Sequence, residues 1–311
     1  MSVTTKVPDP ERVQPVERQG LATLAKQAIA DPRQRHIVIY SLIFMGGFAY
    51  IFGDSFRHFY YVWTTDENYS HGFLVPLISL YFANRLAAAG SIPIRRGIWI
   101  GTLLLVLSLS VRLITIPLPI PFLTDVALLI GLVGLFTLIL GASAFKHYWF
   151  AFFFLIFMIP LPIALYSNIA SPLQLLASHV ASALMNASGV PVLCEGNKMT
   201  LPGGIQMFVA EACSGMRQLT GFLALTSAVA YWTKRHAWYR AVIVLSALPT
   251  ALSANIGRVM LTGYIMHFVN PQFAVGTYHT AEGLLMMAVG LLMLQAECWA
   301  LDQVCRFKLE P

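Results

Sequence analysis

The chain has 311 residues, of which 57% are hydrophobic and only 11% charged, with a mean hydropathy of +0.69. A soluble domain carries about a quarter charged residues, so this composition excludes an ordinary soluble fold and points to a polytopic membrane protein. The net charge of +6 sits in short segments between apolar stretches, with no basic run interleaved with aromatics, which excludes a nucleic-acid partner.

Residues 1–35 form a polar tail with Lys6, Arg12, Arg18, Lys26, Arg33 and Arg35, too long and too polar for the n-region of a signal peptide. A spanning helix needs about 20 mostly apolar residues. Eight stretches meet that measure, at about 36–55, 71–90, 98–117, 122–142, 147–166, 213–233, 240–266 and 280–301. The second is the weakest, with Pro76 inside it and Asn84 and Arg85 near its end. The seventh contains Pro249, which predicts a kink or tilt. Between the fifth and sixth stretches lies a region that does not read as spanning. Leu173, Leu176, Val180 and Leu184 recur there at helical spacing, as in an amphipathic helix lying in the interface. The following VPVLCEGNKMTLPGGIQMFVAEA is broken by Pro and Gly and predicts one or two short strands or extended loops. The expected fold class is therefore an all-α integral membrane protein: about eight transmembrane helices, an interfacial amphipathic helix, and a short extended or β segment on the outer face. The expected organisation is one membrane domain over 36–302, flanked by tails 1–35 and 303–311. No internal repeat or low-complexity linker interrupts it.

Orientation follows from the basic residues, which concentrate in cytoplasmic segments. With the N-terminus inside, fifteen of the twenty Lys and Arg fall in inner segments, and only Arg57 and Lys198 in outer ones. Arg112, Arg217 and Arg258 fall within spans. Both tails are then cytoplasmic, and 167–212 faces outward.

That topology brings three residues, distant in sequence, to one depth at the outer rim. They are Cys213 in EACSGMRQL, Arg258 in ANIGRVML and His279 in YHTAEG. Ionisable side chains next to hydrocarbon are costly and mark functional sites by default. Cys213 stands at the start of a helix, where free N–H groups and the macrodipole favour a thiolate. Arg217, four residues on, adds positive charge on the same face, and Ser214 with Gly215 leaves the backbone open to a substrate carbonyl. Arg258 suits the stabilisation of an oxyanion, and Asn255 extends its polar stripe by one turn. His279 suits general acid–base work, with Glu282 placed to orient it. Each has a plainer reading. Cys213 is equally a small buried hydrophobe or a disulfide partner of Cys194, Arg258 a side chain snorkelling to the outer interface, and His279 an inert loop residue. Ser70 and His71 in ENYSHGFLVP read as a substrate contact or a helix entry, and His179 and His267 as interfacial. The four cysteines show no CxxC spacing, so no metal or cofactor is expected.

These motifs, taken in order, resemble the exosortase/archaeosortase family of polytopic cysteine transpeptidases. The resemblance rests on SHGFLVP, PLPIAL…SPLQLLAS, EACSG, ANIGR and the His-x-x-x-Gly from His279 to Gly283, and covers most of the membrane domain. It implies that Cys213, Arg258 and His279 are catalytic. It also implies cleavage of a C-terminal sorting signal consisting of a Pro-Glu-Pro-like motif, an apolar span and a basic tail. The protein would pass through a thioester to a polysaccharide or lipid-linked acceptor, at the periplasmic face of a bacterial inner membrane. Glu211 and Lys198 are candidates for reading a charged motif. The chain stops nine residues after its last expected span, as in a stand-alone form, and exosortase B is the candidate subfamily. Two alternatives from other classes are a multi-pass transporter with a broken-helix substrate path and a non-catalytic component of exopolysaccharide export.

Overall fold

The computed structural model describes residues 21–88, 97–118, 120–209, 216–270 and 277–307. It is mostly helical, with one small sheet. The helices, in chain order, are α1 (Leu21–Ala30), α2 (Pro32–Ile51), α3 (Gly53–Thr65), α4 (Leu74–Ala87), α5 (Ile98–Thr115), α6 (Pro121–Leu140), α7 (Ala142–Phe154), α8 (Ile163–Ala187), α9 (Met216–Trp232), α10 (Ala237–Leu245), α11 (Ala247–Phe268) and α12 (Thr277–Phe307). Among the described residues, four helices are long and apolar enough to cross a membrane, or up to six if each of two bent pairs is one span. The chain is a multi-pass membrane protein.

Every stretch expected to span contains helix, but four depart from an unbroken rod. The first is split into α2 and α3, which meet at 63°. The second begins as a 3-10 turn (Glu67–Phe73), so its α-helix α4 has only 14 residues. The fifth breaks after α7 at 159–162, and the chain resumes as α8 at 82°. Pro160 and Pro162 account for that break, because the residue before a proline is pushed out of the helical region. Ile159 accordingly has ψ 123°. Pro249 acts similarly: a proline ring opposes the carbonyl four residues back, and α10 ends at Leu245.

Small residues let the helices approach closely, as packing in lipid requires. A Cβ on Gly101 of α5 would lie 2.6 Å from the backbone nitrogen of Leu138 on α6. Buried hydroxyls bridge the same pair, with Ser108 donating to the Ala127 carbonyl at 2.6 Å. On α4, Ser79 donates to the Ala151 carbonyl of α7 at 2.7 Å. Phe82 of α4 then packs against Phe150, Phe154 and Tyr231, tying α4, α7 and α9 into the main core.

The expected amphipathic helix is α8, and its faces divide differently from the sequence reading. Leu176 and Leu184 of the expected apolar stripe are exposed, whereas Ala170, Gln174, Ala177, Ser178, Ala181 and Met185 are buried. In lipid the apolar stripe has no reason to turn inward, and the small face is the one that fits against α11. Met185 there reaches the place where a Cβ on Gly263 would stand.

The extended segment forms a three-stranded antiparallel sheet, β1 (Leu193–Glu195), β2 (Lys198–Leu201) and β3 (Ile205–Phe208), in that order. Met199 pairs with Cys194 on one side and Met207 on the other. Met199, Leu201, Met207 and Val209 bury one face of the sheet against Met185, Val259 and Met266. The sheet is thus fastened to α8 and α11 just before the chain reaches α9.

Candidate active site

Two helices position the described part of the site. Leu225, Val229 and Ala230 of α9 pack with Tyr239 and Ile243 of α10, while Leu219 and Phe222 pack with Ala247 and Ala251 of α11. Lower numbers on α9 meet higher numbers on α10 and α11, so the packing is antiparallel. Continued toward the start of α9, this register sets Gln218 at the level of 251–255. Arg258 stands one turn further, where α9 begins.

The buried face of α11 carries Ala251, Ala254, Asn255, Arg258, Val259 and Thr262. Arg258 is 3% exposed and Asn255 0%. The guanidinium therefore points into the bundle, which overturns the reading of Arg258 as a side chain snorkelling to the interface. Thr262 Oγ1 donates to the Arg258 carbonyl at 2.9 Å, fixing the backbone of that turn.

Cys213, Ser214 and Glu211 lie outside the described residues. The helix expected to start at Cys213 is described from Met216, three residues on. Arg217 belongs to the first turn of α9, though its side chain lies outside the described residues. His279 and Glu282 belong to α12, which begins at Thr277. His279 is therefore a residue of the first helical turn rather than of a preceding loop; the side chains of both again lie outside the described residues. Cys194 on β1 has a free thiol that donates to the Gly196 carbonyl at 3.4 Å. His179 is exposed on α8, and His267 lies in the last turn of α11 with its ring against Phe268. Lys198 on β2 lies 5.9 Å from the Phe208 ring.

The SHGFLVP segment occupies a defined place. Its 3-10 turn packs on α9 and on the irregular chain that follows α7. Three hydrogen bonds stitch it there. His71 Nε2 donates to the Phe157 carbonyl at 3.2 Å, Trp63 Nε1 donates to the Met158 carbonyl at 3.1 Å, and the Leu161 N–H donates to the Tyr69 hydroxyl at 3.0 Å. Irregular backbone at membrane depth survives only where its polar groups are satisfied by protein. Here the stitches do so for groups released by the break at 159–162. Burial pushes the Tyr69 phenol up to about 12, so it is neutral at physiological pH. His71 is occupied as a structural donor. A Cβ on Gly72 would fall 2.2 Å from Trp63 Nε1, so only glycine lets the turn lie on the indole.

Three buried polar residues near the site were not singled out by sequence reasoning. Gln174 of α8 donates to the Val209 carbonyl, the last described residue before 210–215. Ser178 donates to the Gln174 carbonyl at 2.9 Å. Gln218 on α9 is 4% exposed, and its amide makes no hydrogen bond among the described residues. The signal for Gln218 was available, since a glutamine two residues into a membrane helix is costly unless it has a task.

Comparison with known proteins adds the family. A family model described as transmembrane exosortase matches residues 63–296, which takes in SHGFLVP, α9, α11 and the start of α12. No curated protein and no solved structure matches the chain. The match is to the family as a whole and does not single out exosortase B. Since it covers most of the sequence, the chain belongs to the transmembrane exosortase family.

Proposed function

We propose that this protein is a membrane-embedded cysteine transpeptidase that processes C-terminal sorting signals through a thioester on Cys213. The observation that carries the reading is the burial of Arg258: a guanidinium held inside the bundle at the level where the chain bearing Cys213 enters α9. A guanidinium placed inside the bundle presents fixed, charged donors, which suit the stabilisation of an oxyanion formed during acyl transfer.

In the proposed reaction the Cys213 thiolate attacks the scissile carbonyl, and Arg258 steadies the oxyanion. As the tetrahedral intermediate collapses, the C–N bond breaks and His279 gives its proton to the leaving amine. An acceptor amine, or water, then attacks the thioester. It passes its proton to His279, the C–S bond breaks, and the thiolate returns. Arg217 favours the thiolate, Glu282 orients His279, and Ser214 keeps the approach open. Glu211 and Lys198 contact the charged sorting motif. No step requires a metal or cofactor.

The substrates are membrane-anchored proteins bearing such signals, which reach the site laterally through the bilayer. The acceptor is a polysaccharide or lipid-linked group. The membrane domain spans 36–302 between cytoplasmic tails 1–35 and 303–311, with the site and 167–212 on the periplasmic side of the inner membrane. The distribution of basic residues supports this orientation. The deciding experiment co-expresses a protein carrying a Pro-Glu-Pro sorting signal with wild-type or Cys213→Ala enzyme. Processing by wild type and its loss in the variant, with membrane insertion unchanged, is expected; processing by Cys213→Ala overturns the thioester scheme.

A further inference from the structure

We infer that the side-chain amides of Gln218 and Asn255 form a binding site for the peptide backbone of the sorting signal. The inference rests on the transpeptidase reading above and adds the residues that hold the substrate beside the reacting bond.

Both residues are buried, at 4% and 0% exposure, on the facing helices α9 and α11. For both, the amide nitrogen and the amide oxygen lack a hydrogen-bond partner among the described residues. Leaving a donor or acceptor unsatisfied in an apolar interior costs about 1–3 kcal/mol per group, and four such groups lie here within one turn of the packing register. Nearby polar groups are bonded: Thr262 to Arg258, Ser178 to Gln174, and Gln174 to Val209. Gln218 and Asn255, among the described residues, leave both the nitrogen and the oxygen of a buried amide open, and so offer both to an incoming group.

Their chemistry selects the partner. A primary amide offers two N–H donors and one carbonyl acceptor, so a pair of them complements a peptide unit, which offers one of each. Neither carries charge, so they suit main chain rather than the acidic side chain of a sorting motif. Their depth, one turn below Arg258, puts the bound peptide unit on the membrane side of the scissile bond. A sorting signal there passes from its polar motif into its apolar segment. Its backbone amides need partners wherever the substrate helix is unwound for attack.

The test measures binding and cleavage separately. Binding is read by fluorescence anisotropy of a labelled synthetic peptide, carrying the Pro-Glu-Pro motif and the first part of an apolar segment. The receptor is full-length Cys213→Ala enzyme in nanodiscs. Asn255→Leu and Gln218→Met, close in shape but apolar, are each expected to weaken binding about tenfold, the worth of one hydrogen bond. In otherwise wild-type enzyme they raise KM more than they lower kcat. Thermal unfolding is the second readout. Because the apolar variants remove unsatisfied groups, their melting temperature holds or rises. A peptide with one backbone ester in the segment just after the motif binds wild-type residues more weakly, and the variants without further penalty. Unchanged affinity in both variants overturns the inference. So does a lowered melting temperature with unchanged ester sensitivity, since that marks the amides as structural. Tight binding dependent on both amides, without cleavage by wild type, overturns the thioester scheme and leaves the amide site standing.

Discussion

His58 Nδ1 on α3 lies 2.8 Å from Asp125 Oδ2 on α6, and the Asp125 side chain is completely buried within a helix apolar enough to span. This pair pins the helix that follows the 63° bend to the N-terminal end of α6. It also gives the one fully buried carboxylate among the described residues a partner. Removing one partner of a buried polar group costs about 1–3 kcal/mol, because the group is left unsatisfied, whereas replacing both by apolar side chains often costs little. His58→Ala is therefore expected to lower the melting temperature in detergent sharply, and His58→Ala with Asp125→Leu to recover much of the loss. Equal destabilisation by the single and double variants would show that the pair is not the brace.

Gln174 holds the last described residue before the segment carrying Cys213, by donating to the Val209 carbonyl. Gln174→Leu frees that carbonyl and loosens the approach of the chain to α9. A misplacement of the nucleophile of about 1 Å can cost a hundredfold in rate. The expected outcome is a fall in kcat of about ten- to a hundredfold with little change in KM, measured on peptide cleavage. An unchanged kcat would confine Gln174 to sheet packing.

The fold could be read from the sequence because lipid imposes long apolar runs, and these mark α5, α6, α11 and α12 directly. Asn255 and Arg258 of the candidate site stood out for the same reason, as polar residues three apart in such a run, and both are buried. What escaped had three causes. The buried face of α8 was missed because, in a membrane, small and polar residues face inward and leucines face lipid, reversing the rule for soluble helices. The third strand was hidden by the turn at Pro202, Gly203 and Gly204, which reads as an end to extended structure. The Asp125–His58 pair escaped because Asp125 stands near the start of an expected span and its partner is 67 residues away in the chain, a separation no local pattern reveals.

The stitches between the SHGFLVP turn and the chain after α7 predict a dependence on the His71 donor. His71→Leu leaves the Phe157 carbonyl without its bond and is expected to cost about 1–3 kcal/mol, read as a lowered melting temperature in detergent. His71→Gln, which retains a donor for that carbonyl, should recover much of the loss; equal losses in the two variants would assign the effect elsewhere.

Gly72→Ala tests the same region by sterics alone. The added methyl would stand 2.2 Å from the Trp63 indole nitrogen, so the ring must move and give up its bond to the Met158 carbonyl. Overpacking costs about 1–3 kcal/mol, and the freed carbonyl adds to it. The variant is expected to insert normally but to melt lower and to show slower peptide cleavage, because the turn it distorts packs on α9. Pairing it with Trp63→Phe, which removes the clashing nitrogen and the bond together, should cost less than the two single changes combined.

Arg258→Lys separates charge from geometry at the centre of the proposed site. Lysine keeps the positive charge inside the bundle, and the backbone bond from Thr262 to residue 258 does not depend on the side chain. Insertion and melting temperature should therefore stay close to wild type. The planar, forked donor set is lost, and an ammonium on a flexible stem cannot hold two fixed bonds toward a developing oxyanion. Loss of a preorganised oxyanion donor costs about a hundred- to a thousandfold in kcat. The expected result is a fall of that size in single-turnover acylation, with peptide binding to the corresponding Cys213→Ala double variant unchanged. If acylation persists at the wild-type rate, Arg258 serves the bundle and not the reaction. If binding is lost instead, its guanidinium grips the substrate in the ground state.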